Sequence, residues 1–185
     1  MPLSETDKKI LEFIALPEHQ NKALKLLIDT YQKKLYWQIR RIVISHDDAH
    51  DALQNTFIKA WQGLKNFNQE SSLFTWLYRI ATNEALQILR KKAQEHHIPY
   101  EQVSSVLSNT LKTDPYFKGD EIQRKLQQAI LSLPEKQRMV FNMRYYDELS
   151  YEEIAEVLET SVGALKASYH HAVKKIEEHL LNSGE

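Results

Sequence analysis

The sequence predicts an all-α protein of two small helical domains, and three observations carry that prediction. Glycine and proline are scarce, four and five in 185 residues, while charged and straight-chain residues run throughout, a composition that favours helix over sheet. Apolar residues recur at three- and four-residue steps in segment after segment, the period of a helix that buries one face. Ser, Thr or Asp stands just ahead of several of these segments, where its side-chain oxygen can accept from an otherwise unpaired backbone N–H.

Taken in order, Thr6 to Leu16 reads as a short helix carrying Ile10, Phe13 and Ile14 and stopping at Pro17. From Asn21 to about Ile44 the set Leu24, Leu27, Ile28, Tyr31, Leu35, Ile39, Ile42 and Val43 keeps a helical period. Ser45 to Asp47 end that helix and cap the next, whose stripe is Ala49, Leu53, Phe57, Ala60, Trp61 and Leu64. Asp48, Asp51, Gln54, Asn55 and Lys59 then fall on its outer face. Asn66 to Ser72 is a polar connector. After it, Leu73, Trp76, Leu77, Ile80, Ala81, Leu86 and Leu89 mark a helix running to a basic end at Lys92.

Between Gln94 and Gly119 the pattern breaks: Pro99, Pro115 and a Ser-rich run with scattered apolar residues read as a flexible interdomain linker. The expected domains are therefore 6–94 and 120–182, joined by 95–119. Asp120 caps a helix with the stripe Ile122, Leu126, Ile130 and Leu133, and Pro134 opens another through Met139, Val140 and Met143.

The run LSYEEIAEVLETSVGALKASYHHAVKK, Leu149 to Lys175, spells two helices joined by a tight turn. Ser150 and Glu153 form a capping box ahead of the apolar face Ile154, Val157 and Leu158. Thr160 and Ser161 offer a second N-cap, after which Val162, Leu165, Tyr169, Val173, Ile176 and Leu180 form one stripe. The opposite face presents Gly163, Lys166, Ala167, His170 and Lys174, small, polar and cationic side chains suited to a major groove. A capped helical hairpin is equally an ordinary piece of an all-α domain, so other segments must decide between the two readings.

Composition narrows the choice. Without cysteine there is neither a disulfide framework nor a thiolate metal site. The start MPLSETDKK has no apolar run suited to export, and no stretch approaches the roughly 20 apolar residues of a membrane span. A cytoplasmic protein with no direct membrane insertion is expected. Lys and Arg number 24 against 25 Asp and Glu, which is unlike a free-standing DNA binder that lives on phosphate attraction.

Two blocks carry a family resemblance. LPEKQRMVFNMRYYDELSYEEIAEVL followed by SVGALKASYHHAVKKI resembles region 4 of the extracytoplasmic-function sigma factors, the compact members of the sigma-70 family. DDAHDALQNTFIKAW and FNQESSLFTWLYRIATNEALQILRKK resemble their region 2. Two independent blocks in the right order are more specific than either alone, whereas regions 1.1 and 3 of larger sigma factors find no counterpart. The variant GALKASYHHAVKK is similar to sigma factors of Bacteroidetes-type bacteria.

The resemblance implies two partners, core RNA polymerase and promoter DNA, and a third, an anti-sigma factor that masks the polymerase-facing surfaces. It implies no enzymatic activity and no cofactor. Sharing DNA contacts with polymerase would also account for the near-zero net charge, since effective concentration then replaces raw affinity. By resemblance, Asp48, Asp51, Gln54 and Asn55 dock the polymerase clamp. The family often carries acids where Asn55 and His50 stand, so this dock is less negative than usual.

For the minus-10 strand the resemblance implies the loop Phe67, Asn68, Ser71 and Ser72 and the helix after it, with Asn83 at the base-contacting asparagine. Arg79, Arg90, Lys91 and Lys92 would follow phosphates. Single-stranded bases suit polar pockets, aromatic platforms and cationic rails, and an amide both donates and accepts. Trp76 is open between a core position and a stacking platform. For the minus-35 element the carried-over residues are Gly163, Lys166, Ala167, His170 and His171, with Lys174 near the backbone. Ser168, His171 and Val173 stand where the family commonly has arginine, which implies weaker, less salt-sensitive duplex binding.

Two rival readings follow from the same residues. His46 and His50, four apart beside Asp47, Asp48 and Asp51, could begin a metal site of an enzyme, yet a matching third ligand with a general base is missing and no metal is expected. A conventional helix-turn-helix regulator binding an operator without polymerase is the other alternative.

Overall fold

The computed structural model describes residues 3–117 and 119–182, and every regular element among them is helical. Four helices build the amino half: α1 (Glu5–Ala15), α2 (Gln20–Val43), α3 (His46–Gly63) and α4 (Leu73–Glu95). Ser4, Ser45 and Ser72 cap α1, α3 and α4, each accepting from a backbone N–H three residues on. Tyr31 of α2 donates to buried Asp7 of α1, while the Gln38 amide of α2 donates to Tyr78 O (3.0 Å) and Thr82 Oγ1 (2.7 Å) of α4. These bonds satisfy polar groups that the helix interfaces would otherwise strand away from water.

The expected connector is where sequence and structure part. Residues 95–119 hold a short 3-10 turn, Tyr100–Gln102, and a full helix α5 (Val103–Thr113) that buries Val103, Leu107 and Leu111 at four-residue steps. Pro99 precedes the helix and Pro115 follows it, positions where proline punctuates a helix without interrupting its ladder. Arg40 of α2 meets Asp114 at 2.6 Å with both side chains buried, which fastens the end of α5 to the amino half. The segment holds a packed helix where an irregular connector was expected.

The carboxyl half comprises α6 (Glu121–Leu131), α7 (Glu135–Tyr145), α8 (Tyr151–Leu158) and α9 (Val162–Asn182). Asp120 caps α6, and Pro134 sits at the N-cap of α7, one residue ahead of the helix. Ser150 and Glu153 close the expected capping box of α8. The stripes need two corrections. Ile122 is 81 % exposed, because the first turn of α6 stands clear of its neighbours, and Leu180 is exposed near the end of α9.

One continuous core runs through both halves: Leu27, Leu35 and Leu77 belong to the same buried cluster as Leu107, Met139 and Ile154. A smaller cluster of Ala129, Ile130, Leu133, Phe141, Ala172 and Ile176 holds α6 and α7 against α9. At about 1.5–3 kcal/mol for each fully buried large apolar side chain, the shared core is a substantial tie between the halves.

Candidate nucleic-acid interface

Helix α4 presents one face to solvent, with Arg79, Asn83, Gln87 and Arg90 all exposed along it. The loop before α4 is shaped by Gln69, whose φ of 60° is left-handed, and by Asn68, whose side-chain oxygen accepts from Glu70 N at 3.4 Å. Ser72 accepts from Thr75 N at 3.0 Å as the N-cap, so its structural task is occupied before any ligand arrives. Trp76 packs against Phe67 at 5.2 Å between ring centroids. A Cβ added at Gly63 would lie 3.1 Å from the indole, so the glycine lets this ring settle close to α3. The same indole also lines a cleft of about 330 Å³ together with Asn68, Ser71 and Arg79. Trp76 thus belongs to the edge of the core and to a cleft wall at once.

Asn83 lies in a second, separate groove of about 400 Å³ shared with Lys59, Gln87 and Arg90. Behind it, Lys59 reaches buried Glu84 and fixes that wall. Gln87 was not among the residues singled out by sequence, although its position one turn after Asn83 on the same face was a usable signal. The expected phosphate-following residues divide: Arg90 and Lys91 are exposed, whereas Lys92 is half-buried and meets Asp48 at 2.6 Å.

That contact also changes the expected docking face on α3. Asp51, Gln54 and Asn55 are exposed together, but Asp48 is half-buried against Lys92. Nearby, the rings of His46 and His50 lie 4.4 Å apart and Tyr36 Oη is 2.7 Å from His46 Nδ1. Among the described residues no group of three or more His, Cys, Asp or Glu is placed to hold a metal ion.

On α9 the side chains of Lys166, Ala167, His170, His171 and Lys174 are exposed, as is Gly163, while Leu165, Ala172 and Ile176 are buried beneath them. The turn from α8 into α9 is made by Glu159 in the left-handed region, φ 51°, and Ser161 Oγ accepts from Ala164 N at 3.3 Å. A cationic, polar helix face is thereby held rigidly on an apolar base, the arrangement a major groove can receive.

Sequence reasoning missed the contacts between the halves. Asp147, in the turn between α7 and α8, takes the Arg41 guanidinium of α2 and the Tyr78 hydroxyl of α4 on its two oxygens. Burial pushes the Asp147 carboxyl up, against the opposing pull of Arg41 and Tyr78. The Tyr78 hydroxyl is itself driven far above its ordinary value, first by burial and then by the Asp147 charge. Tyr146 beside them is pushed up to about 12, mainly by burial. At the surface, Arg79 Nη2 meets Glu159 Oε1 at 2.6 Å, and Tyr100 donates to Glu135.

Comparisons with known proteins converge. Residues 27–95 match the family model for Sigma-70 region 2, and residues 123–176 match that for Sigma-70, region 4. The chain is 31% identical over 162 residues to the ECF RNA polymerase sigma factor SigW of Bacillus subtilis, covering 83% of this chain and 87% of that protein. It is 32% identical to the RNA polymerase sigma-H factor of Pseudomonas aeruginosa, covering 97% and 96% respectively. Among solved structures, CnrH in complex with the cytosolic domain of CnrY has a TM-score of 0.70 at 20% identity, covering 98% of this chain and all (100%) of that one. The sigma factor RpoE in complex with the anti-sigma factor NepR, from Bartonella quintana, has a TM-score of 0.68 at 23% identity, covering 86% and 97%. At these identities the two structures share the fold.

Proposed function

The chain belongs to the sigma-70 family, with the extracytoplasmic-function RNA polymerase sigma factors as its relatives, and from that premise we propose how its surfaces divide the work. It is a sigma factor that binds core RNA polymerase and directs promoter-specific initiation, an initiation factor and not an enzyme. The observation that carries this conclusion is the ordered pair of region 2 and region 4 matches within one chain.

In this reading residues 6–94 form the polymerase-binding and minus-10 domain, 95–119 the bridge and 120–182 the minus-35 domain. Asp51, Gln54 and Asn55 dock the polymerase clamp, with Asp48 joining them only if Lys92 releases it. The cleft of Asn68, Ser71, Trp76 and Arg79, with Phe67 packed behind Trp76 and Ser72 in the adjoining cleft, and the groove of Asn83 and Arg90 read the non-template minus-10 strand. Their separation supports two bases held out of the stack in two places, each with a polar group and a cation near it. Lys91 continues the cationic rail, and Lys92 joins it only when released from Asp48. Gly163, Lys166, Ala167, His170, His171 and Lys174 meet the minus-35 duplex.

Control by an anti-sigma factor is part of the proposal, supported by two proteins of the same fold that were solved bound to an anti-sigma factor or to a cytosolic partner domain. A cytoplasmic location fits the family, and no helix among the described residues is long and apolar enough to cross a membrane. The Bacteroidetes-type likeness rests on the sequence of the recognition helix. The deciding experiment is in-vitro transcription with compatible core polymerase over genomic fragments, where start sites should appear only when this protein is added. Absence of initiation, together with tight operator binding by the protein alone, would favour a conventional regulator instead.

A further inference from the structure

The minus-10 reading surface is not open along its whole length. The cleft bounded by Asn68, Ser71, Trp76 and Arg79 is closed on its far side by Glu156 of α8. A contiguous cleft of about 310 Å³ places Glu152, Glu153 and Glu156 of the same helix opposite Ser71, Ser72 and Thr75. Glu159, at the end of α8, takes the Arg79 guanidinium at 2.6 Å. Carboxylates from the carboxyl half therefore border this surface: Glu152 and Glu156 line its clefts, Glu153 beside them is held in the capping box with Ser150, and Glu159 occupies the Arg79 cation. The arrangement is anchored from beneath by Asp147 with Arg41 and Tyr78, and by the core that both halves share.

The remaining surfaces behave differently. Asp51, Gln54 and Asn55 on α3 are exposed, as are Lys166, His170, His171 and Lys174 on α9 and the groove around Asn83. We propose that this closed arrangement is self-inhibited at one site only: the acidic face of α8 covers the loop end of the minus-10 surface. Polymerase docking and duplex contact remain accessible. Binding of the minus-10 strand requires α8 to leave α4. The cover is electrostatic as well as steric, because a strand approaching the cleft meets like charge within a screening length of about 8 Å at physiological salt. The exposed Arg79–Glu159 pair adds little stability of its own. It opens readily and acts mainly by holding Arg79 away from DNA.

This inference rests on the reading of region 2 as the minus-10 reader, and its test separates the two. The full chain and its Glu156→Gln, Glu159→Gln double variant are titrated, without polymerase, against a fluorescein-labelled random-sequence single-stranded oligodeoxynucleotide and against a random-sequence duplex. The proposal expects the double variant to bind the single strand about 2- to 30-fold more tightly, the span of two exposed charge contacts. Duplex affinity should change little, and Arg79→Ala added to the double variant should abolish the gain. Equal single-strand affinity in a variant that melts like the wild type would overturn the proposal. So would an equal gain on the duplex, or a gain that survives Arg79→Ala, either of which marks a general charge effect. Transcription by the wild type with core polymerase is run in parallel: failure there defeats the assignment of the chain's surfaces, whereas success with no single-strand gain defeats only the self-inhibition.

Discussion

The hydroxyl of Tyr78 in α4 donates to the carboxylate of Asp147, 69 residues away in the turn before α8, and Arg41 closes on the carboxylate's other oxygen. This polar cluster joins the amino and carboxyl halves where α2, α4 and α7 converge. Buried ionic groups of this kind add little net stability, since desolvation offsets much of the attraction. Burial pushes the Asp147 carboxyl up while Arg41 and Tyr78 pull it down, the same opposition of desolvation and attraction.

A pH-dependence follows for Asp147. Its folded pKa lies above the ordinary 3.8, so the folded chain holds this proton more tightly than the unfolded chain does. The stability it contributes is fully present below pH 3.8 and is lost as pH rises through the raised folded value. Asp147→Asn cannot titrate. In urea unfolding of both proteins, the difference in stability should move in favour of the wild type as pH falls from neutral through that window. A difference that does not vary with pH would mean that the folded carboxyl binds its proton no more tightly than the unfolded one.

Helix α5 gives a prediction about folding. Leu107 is fully buried within the core that both halves share, so Leu107→Ala should cost about 2–5 kcal/mol. In an irregular connector the same change would stay within about 0.5 kcal/mol. Chemical denaturation of the full chain distinguishes the two outcomes, and a small effect would restore the flexible linker.

The parts that sequence made legible share a physical cause: they are governed by local spacing. The capping box of Ser150 and Glu153, the stripes of α2 and α4 and the exposed face of α9 each depend on residues within a turn or two of one another. The carried-over asparagine, Asn83, emerged exposed for the same reason, because its place opposite Ala81 and Ala85 was fixed by helical period. What stayed hidden depends on pairs far apart in the chain. Lys92 and Asp48, Arg79 and Glu159, and Asp147 with its two partners are polar residues on solvent-like faces, and nothing local selects one partner over another. The bridge helix was hidden by composition, because serines separate Val103, Leu107 and Leu111 and prolines flank them.

Asn83 is exposed in a polar groove, so Asn83→Ala should leave folding stability within about 0.5 kcal/mol. As a base-reading amide it should matter far more to opening. The loss of a good base contact, about 1–3 kcal/mol, corresponds to roughly 5- to 150-fold weaker opening at a cognate promoter. Permanganate footprinting of the holoenzyme measures this, while competition for core polymerase should be unchanged. An equal loss of core binding would make Asn83 a structural residue.

The recognition helix offers the most direct measurement. His171 is exposed on α9 at a position where the family resemblance implies arginine, and the residues buried beneath it, Ala172 and Ile176, do not depend on its identity. His171→Arg should therefore fold as the wild type does and add one permanent cation to the face proposed to meet the duplex. Each phosphate neutralised releases condensed counterions, so log affinity against log salt should steepen by about 0.9 for one added contact. Fluorescence anisotropy of the full chain on a promoter duplex, repeated over a series of KCl concentrations, reads that slope. An unchanged slope would place His171 away from the phosphate path and shift the minus-35 assignment toward Lys166 and His170. A steeper slope with unchanged preference among duplex sequences would make position 171 a backbone contact and leave base reading to the residues closer to the N-terminus of α9.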